Sequence, residues 1–237
     1  MVTTVEVWDE FMNRPSIECL DIFKNEYRRS GELGDLRNLN MVLMDVGEWQ
    51  KAKDNCLKII NEEEDSCDDD FIVMGMLEWF MGNTTTAVNL WRQAREAKYA
   101  DSVGAIDGPI VLWYAGRRLN DEKLIRYSLK KLKKFWKITD YRKIVKWPGT
   151  QAIAGFILGE VPVDDFLVKW KWEALEHRRP CRANFWVGMT LLERDEEQAI
   201  KHFKAAFSAD KHAILEYEYF LAKWEYARLT GQNVWNE

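Results

Sequence analysis

Apolar residues recur along this chain at three- and four-residue steps, in runs that come in pairs separated by short polar breaks. Leu36, Leu39, Leu43 and Met44 mark one face of a helix, and Asp45-Val46-Gly47-Glu48 interrupts it with a glycine suited to a left-handed helix end. Trp49, Ala52, Cys56, Ile59 and Ile60 then mark a second face, closed by the acidic run from Asn61 to Asp70. The design repeats: a helix from Phe71 to Met81, a turn at Gly82-Asn83-Thr84, and a helix from Thr86 to Ala97 carrying Ala87, Leu90, Trp91 and Ala94. Loops this short force antiparallel neighbours, so each pair predicts an αα-hairpin.

The pattern continues more weakly elsewhere. Ile110 to Leu119 pairs with Lys123 to Trp136 across Asn120-Asp121, and Gln151 to Leu158 pairs with Val163 to Leu175 across Gly159-Glu160-Val161-Pro162. At the start, Thr4 to Asn13 and Ser16 to Arg29 form a further pair around Pro15. Near the end, the segment after Phe185-Trp186-Val187-Gly188 turns at Glu193-Arg194-Asp195 and carries Ala199, Phe203 and Ala206. A last helix is predicted over 213–229, with Leu215, Tyr219, Leu221, Ala222 and Tyr226.

Two of these hairpins and the late one resemble tetratricopeptide repeats, in which a Leu-Gly step on helix A is followed by Ala-x3-Phe and a further Ala on helix B. Phe71, Met74, Gly75 and Glu78 occupy the helix A positions, and Ala87, Trp91 and Ala94 those of helix B. Leu36, Leu39, Asn40 and Leu43 with Ala52, Cys56 and Ile59 match in the preceding unit; Ala52 and Ala87 lie 35 residues apart, close to the family period of about 34. The late hairpin has a turn one residue shorter and without glycine, and the middle pairs lack the signature.

The resemblance implies one all-α domain over 1–237: a right-handed α-solenoid of about six αα-hairpins, clearest at 34–66, 69–99 and 181–210, with a C-terminal helix capping its open end. It also implies a concave groove lined by helix A of each repeat, which receives a protein segment. By register the groove positions are Arg37, Met41 and Met44, then Ile72, Met76 and Trp79, then Trp113 and Arg117. The Lys, Asn and Arg set with which the family clamps a peptide carboxylate is missing.

Composition adds bounds. The 237 residues hold 47% hydrophobic and 31% charged side chains, enough for a sizeable core, with 12 Trp and only 5 Pro. No run of about 18 apolar residues predicts a membrane span, and the N-terminus lacks the pattern of a signal peptide, so a cytoplasmic protein is expected. Cys19, Cys56, Cys67 and Cys181 are scattered, as expected of reduced, mostly buried thiols. The net charge is −5, but residues 45–70 carry −7 and residues 117–147 carry +9. On the helix after Asp121, Lys123, Arg126, Lys130, Lys134 and Lys137 form one stripe; the overall acidity favours reading it as a wet outer face over a nucleic-acid site.

Catalytic patterns are missing. His177, His202 and His212 have no metal-ligand spacing, and His202 reads as a solvated helix residue. An EF-hand loop starting at Asp65 needs Gly at position 70 and Glu at 76, where Asp70 and Met76 stand. Phosphate-binding glycine loops and nucleophile elbows do not occur. The expectation is a non-enzymatic, cofactor-free protein that holds a protein partner. One such role is a dedicated inhibitor, for instance a bacterial immunity protein whose acidic band mimics the charge a basic toxin expects. The alternatives are an adaptor or assembly factor in a cellular complex and nucleic-acid binding through the basic segment 117–147.

Overall fold

The computed structural model describes residues 4–63, 67–99, 106–138, 148–168, 176–208 and 210–235. Among these residues the chain forms helices only, with no β-strand beyond an isolated bridge between Cys67 and Tyr99. In chain order they are α1 (Thr4–Met12), α2 (Ser16–Ser30), α3 (Leu33–Asp45), α4 (Trp49–Glu62), α5 (Asp68–Phe80), α6 (Thr84–Ala94) and α7 (Asp107–Leu119). They continue with α8 (Glu122–Ile138), α9 (Pro148–Ile157), α10 (Val163–Val168), α11 (Arg179–Leu191), α12 (Glu196–Ser208) and α13 (Tyr217–Thr230). The expected helix over 163–175 is seen to Val168; its remainder, like residues 64–66 of the first clear repeat, lies outside the described residues.

Each helix packs on its neighbour in the chain, and the odd-numbered helices α5, α7, α9 and α11 also touch one another in succession. The turns explain the antiparallel pairing. Between α3 and α4 the Glu48 amide donates to the Leu43 carbonyl at 2.8 Å, with Gly47 at φ 78°. Thirty-five residues later the Asn83 amide donates to Glu78 at 2.8 Å, with Gly82 at φ 84°. The two middle hairpins, whose sequences lack the repeat signature, close in the same way. Asp121 donates to Gly116 at 2.9 Å beside Asn120 at φ 52°, and Glu160 to Gly155 at 2.9 Å beside Gly159 at φ 76°. Between α11 and α12 the shorter turn has no left-handed residue, and the Asp195 amide reaches Leu191 at 2.8 Å.

Close helix contacts follow from residue size. A Cβ at Gly75 would lie 2.3 Å from Nε1 of Trp91, which donates instead to the Ile72 carbonyl at 3.1 Å. A Cβ at Gly188 would lie 2.7 Å from Phe203. In the unit before Gly75, Asn40 and Cys56 stand at the corresponding positions, and Asn40 Nδ2 donates to Cys56 Sγ at 3.3 Å. The larger residue on one helix is matched by a smaller one on the other, as close packing requires.

The end of the chain departs from expectation. Instead of one helix over 213–229 there is a 3-10 turn at Lys211–Leu215, a break at Glu216 with φ −103° and ψ 132°, and then α13. Asp210 caps the turn by accepting from the His212 amide at 2.8 Å. Nor does α13 cover an end with a polar outer face: Glu218, Tyr219, Phe220, Leu221, Ala222 and Lys223 are buried in unbroken succession. A helix buried on every side is surrounded by protein, and α13 packs on α5, α11 and α12. Trp224 stacks on Phe80 of α5 at 5.0 Å, and Trp235 beyond the helix meets Trp49 of α4 at 5.2 Å.

Candidate functional site: a cleft between α3, α5 and the C-terminal segment

Of the eight predicted groove residues, four converge. Arg37 and Met41 of α3 and Ile72 and Met76 of α5 line one cleft of about 90 Å³, together with Asn40, Val73 and, from the C-terminal segment, Leu215, Tyr217 and Phe220. Arg37 is fixed across it: Nε and Nη2 donate to the two Asp70 oxygens at 2.8 and 2.7 Å, and Nη2 also meets Glu63. These bonds, that to Asp70 first, hold its guanidinium further toward the charged form than usual. Met41 is half-buried, and Leu215 is 38% exposed at the mouth. Asn40, on the cleft wall, is buried with Oδ1 unbonded.

The other four lie elsewhere. Met44 is fully buried. Trp79 packs against Trp91 and Tyr114, and Trp113 against Trp186, so both are core residues at 6% and 4% exposure. Ile72 and Met76, though they line the cleft, are each 1% exposed and offer only an edge. Arg117 lies over the Trp113 ring at 5.5 Å and pairs with Glu193 at 2.8 Å, away from the cleft. Register put Met44, Trp79 and Trp113 in an open groove; in the structure they meet other helices rather than solvent.

The C-terminal contributors to the site were not legible as such, because they are distant in sequence. One signal was present: over 216–226, charged and apolar residues alternate without an amphipathic face, as suits a helix enclosed by polar and apolar partners together. Those partners are specific. Asp45 at the end of α3 accepts from Lys223 Nζ and the Tyr219 hydroxyl, both at 2.8 Å, and from Ser16. Glu225 accepts from the Tyr114 hydroxyl at 2.7 Å and pairs with Arg118 and Arg228 at 3.0 Å. Glu218 accepts from Arg182 Nε at 3.1 Å and Trp186 Nε1 at 2.9 Å. Burial pushes the Glu218 carboxyl up to about 7, against the opposing pull of Arg182 and with Glu216 and Asp107 adding in the same direction.

The acidic band also changes character. Asp45, Asp68, Asp70 and Glu78 are buried, and Asp45, Glu63, Asp70 and Glu78 are paired with cations of the same chain. They join helices to each other and do not form a free acidic surface. His202, expected to be solvated, is half-buried, and its Nδ1 lies 2.8 Å from Asn184 Oδ1; burial lowers its pKa. Among the described residues no group of three His, Cys, Asp or Glu side chains is arranged to hold a metal ion, and no helix is long and apolar enough to cross a membrane. In comparisons with known proteins, no family model matches the chain and no curated protein matches it.

Proposed function

We propose that this chain is a non-enzymatic protein-binding scaffold of tetratricopeptide-like hairpins, wound as a right-handed solenoid, that holds a protein partner at the cleft between α3 and α5. The convergence of Arg37, Met41, Ile72 and Met76 on one apolar cleft carries this reading. Methionine walls adapt to an inserted side chain, and Leu215 at the rim extends the apolar contact. The 35-residue recurrence of the turn bonds and of the Asn40–Cys56 and Gly75–Trp91 contacts supports the repeat assignment. In a solenoid of this kind α13, packed on α5, α11 and α12, would occupy part of the inner groove beside the cleft. A cytoplasmic inhibitor dedicated to one partner, such as a bacterial toxin-neutralising immunity protein, is the role we favour for a cleft this small, and an adaptor in a cellular complex is the alternative.

The test is co-expression with the product of the neighbouring gene and stoichiometric co-purification. Met41→Asp and Leu215→Asp change partly exposed positions and are expected to weaken the complex at least tenfold while leaving the melting temperature within a few degrees. A complex indifferent to both substitutions would remove the cleft as the site. No complex and no rescue from toxicity would remove the inhibitor role.

A further inference from the structure

Burial redistributes the charge of this molecule. Among the described residues nine carboxylates are buried (Glu26, Asp45, Asp68, Asp70, Glu78, Asp107, Glu216, Glu218 and Glu225) against two cations, Arg182 and Lys223. The described surface is therefore more basic than the net charge of −5 suggests. The excess is concentrated on α8. Lys123, Arg126, Lys130, Lys133 and Lys134 are exposed, and none of them makes a side-chain hydrogen bond or ion pair. Four-residue steps from Arg126 to Lys130 to Lys134 place cations about 6 Å apart along the axis. The side chain of Lys137, which the sequence pattern adds to this stripe, lies outside the described residues.

An aromatic side chain interrupts this row. Tyr127 is 36% exposed among the cations, its hydroxyl accepts at 2.9 Å from Nη1 of Arg95, the residue that follows α6, and Lys131 Nζ lies 5.4 Å from its ring centroid. Arg95 is itself exposed, so the basic face extends from α8 to the C-terminal end of α6. The acids nearby in sequence are few: Glu96 and Glu122 are exposed, and Asp121 accepts from the Lys123 and Leu124 amides as the N-terminal cap of α8. The apolar side of α8 is committed to the core, with Leu124 3% and Leu132 0% exposed, so the helix has no apolar face to insert into a bilayer.

We propose that the outer face of α8, with Arg95, binds the sugar–phosphate backbone of a single-stranded nucleic acid, and that Tyr127 offers its ring edge and face to a base. Spaced, unpaired cations with an interleaved aromatic are what such a strand requires. An acidic peptide needs the cations but gains nothing from a ring held in place by an arginine. The cation row is short, so the site takes a few nucleotides without reading sequence.

Fluorescence anisotropy with labelled oligouridylate and oligothymidylate 12-mers tests this, with polyglutamate and phosphatidylserine vesicles as separate arms. Four or five phosphate contacts predict a slope of log affinity against log salt of about −3. Lys130→Glu with Lys134→Glu is expected to weaken oligonucleotide binding at least tenfold and to flatten that slope. Tyr127→Ala weakens it about tenfold at unchanged slope, and Tyr127→Phe, which keeps the ring but loses its bond from Arg95, weakens it by less than that. These positions are exposed, so circular dichroism and melting temperature stay at parent values and show that the variants fold. Binding unchanged by the double reversal, or polyglutamate or vesicles bound as tightly as the oligonucleotides, would overturn the proposal.

Discussion

Gly75 has no space for even a methyl group on its helix face. Gly75→Ala brings a Cβ to 2.3 Å from the indole of Trp91 and displaces the ring from the Ile72 carbonyl. The expected cost is about 1–3 kcal/mol in urea unfolding, in spite of the better helix propensity of alanine. Gly34→Ala in α3 meets nothing within 4 Å and is expected to be neutral or to stabilise by about 0.5 kcal/mol. Glu218 makes a different residue-scale prediction. Its folded-state pKa of about 7 lies above the ordinary carboxylate value of 4.5, so between these values the folded chain keeps a proton that the unfolded chain has released. Its contribution to stability therefore falls as pH rises from about 4.5 to 7. Urea midpoints of Glu218→Gln across that range should lack this fall; parallel curves for the two proteins would exclude Glu218 as the group responsible.

At the scale of an element, α13 is held by buried charge as well as by apolar area. Lys223→Ala leaves Asp45 buried with only neutral hydroxyl partners and is expected to destabilise by about 3 kcal/mol or more. The pair replacement Asp45→Asn with Lys223→Met should recover part of that loss, and a double-mutant cycle measures how much. Sequence periodicity places α1 to α12, because each turns apolar residues toward its neighbours. It misplaces the end of the chain. The period of Ala213, Leu221 and Ala222 carries a helix through Glu216, whereas the backbone opens there and the Glu216 carboxylate pairs with Arg178 and Arg182, at 3.3 and 3.4 Å. Partners 38 and 34 residues away leave no local trace.

Across the whole molecule, the C-terminal segment ties the first helices to the last. Lys211 donates to the Phe11 and Arg14 carbonyls at the end of α1, and its Nζ lies 4.0 Å from the Phe11 ring centroid. Removal of 210–235 is therefore expected to abolish amide-exchange protection in α1 and α2 as well as in α12. A stack of units coupled only to nearest neighbours would lose it in α12 alone. The thiols report the same enclosure. Burial pushes Cys56 up to about 12 and Cys181 well above its ordinary value, so both should resist alkylation at pH 8 until the protein unfolds. Half-buried Cys67, also raised to about 12 by burial, should react first of the four, though slowly.

The sequence by itself determined the helices, their antiparallel pairing and the side of each that turns inward, since hydrophobic period, loop length and small-residue spacing are local properties. Arg37, Met41, Ile72 and Met76 were read as groove-lining together with Met44, Trp79, Trp113 and Arg117, and nothing local in the chain separated the two sets. Only the tertiary structure decided that Met44, Trp79 and Trp113 are enclosed, that α13 makes bonds reaching 32 to 178 residues back along the chain, and that the carboxylates are consumed inside while the α8 cations stay in water. Solvent exposure belongs to the assembled surface. A residue's own stretch of chain specifies which way it faces, but what else arrives on that side is set by segments elsewhere in the sequence.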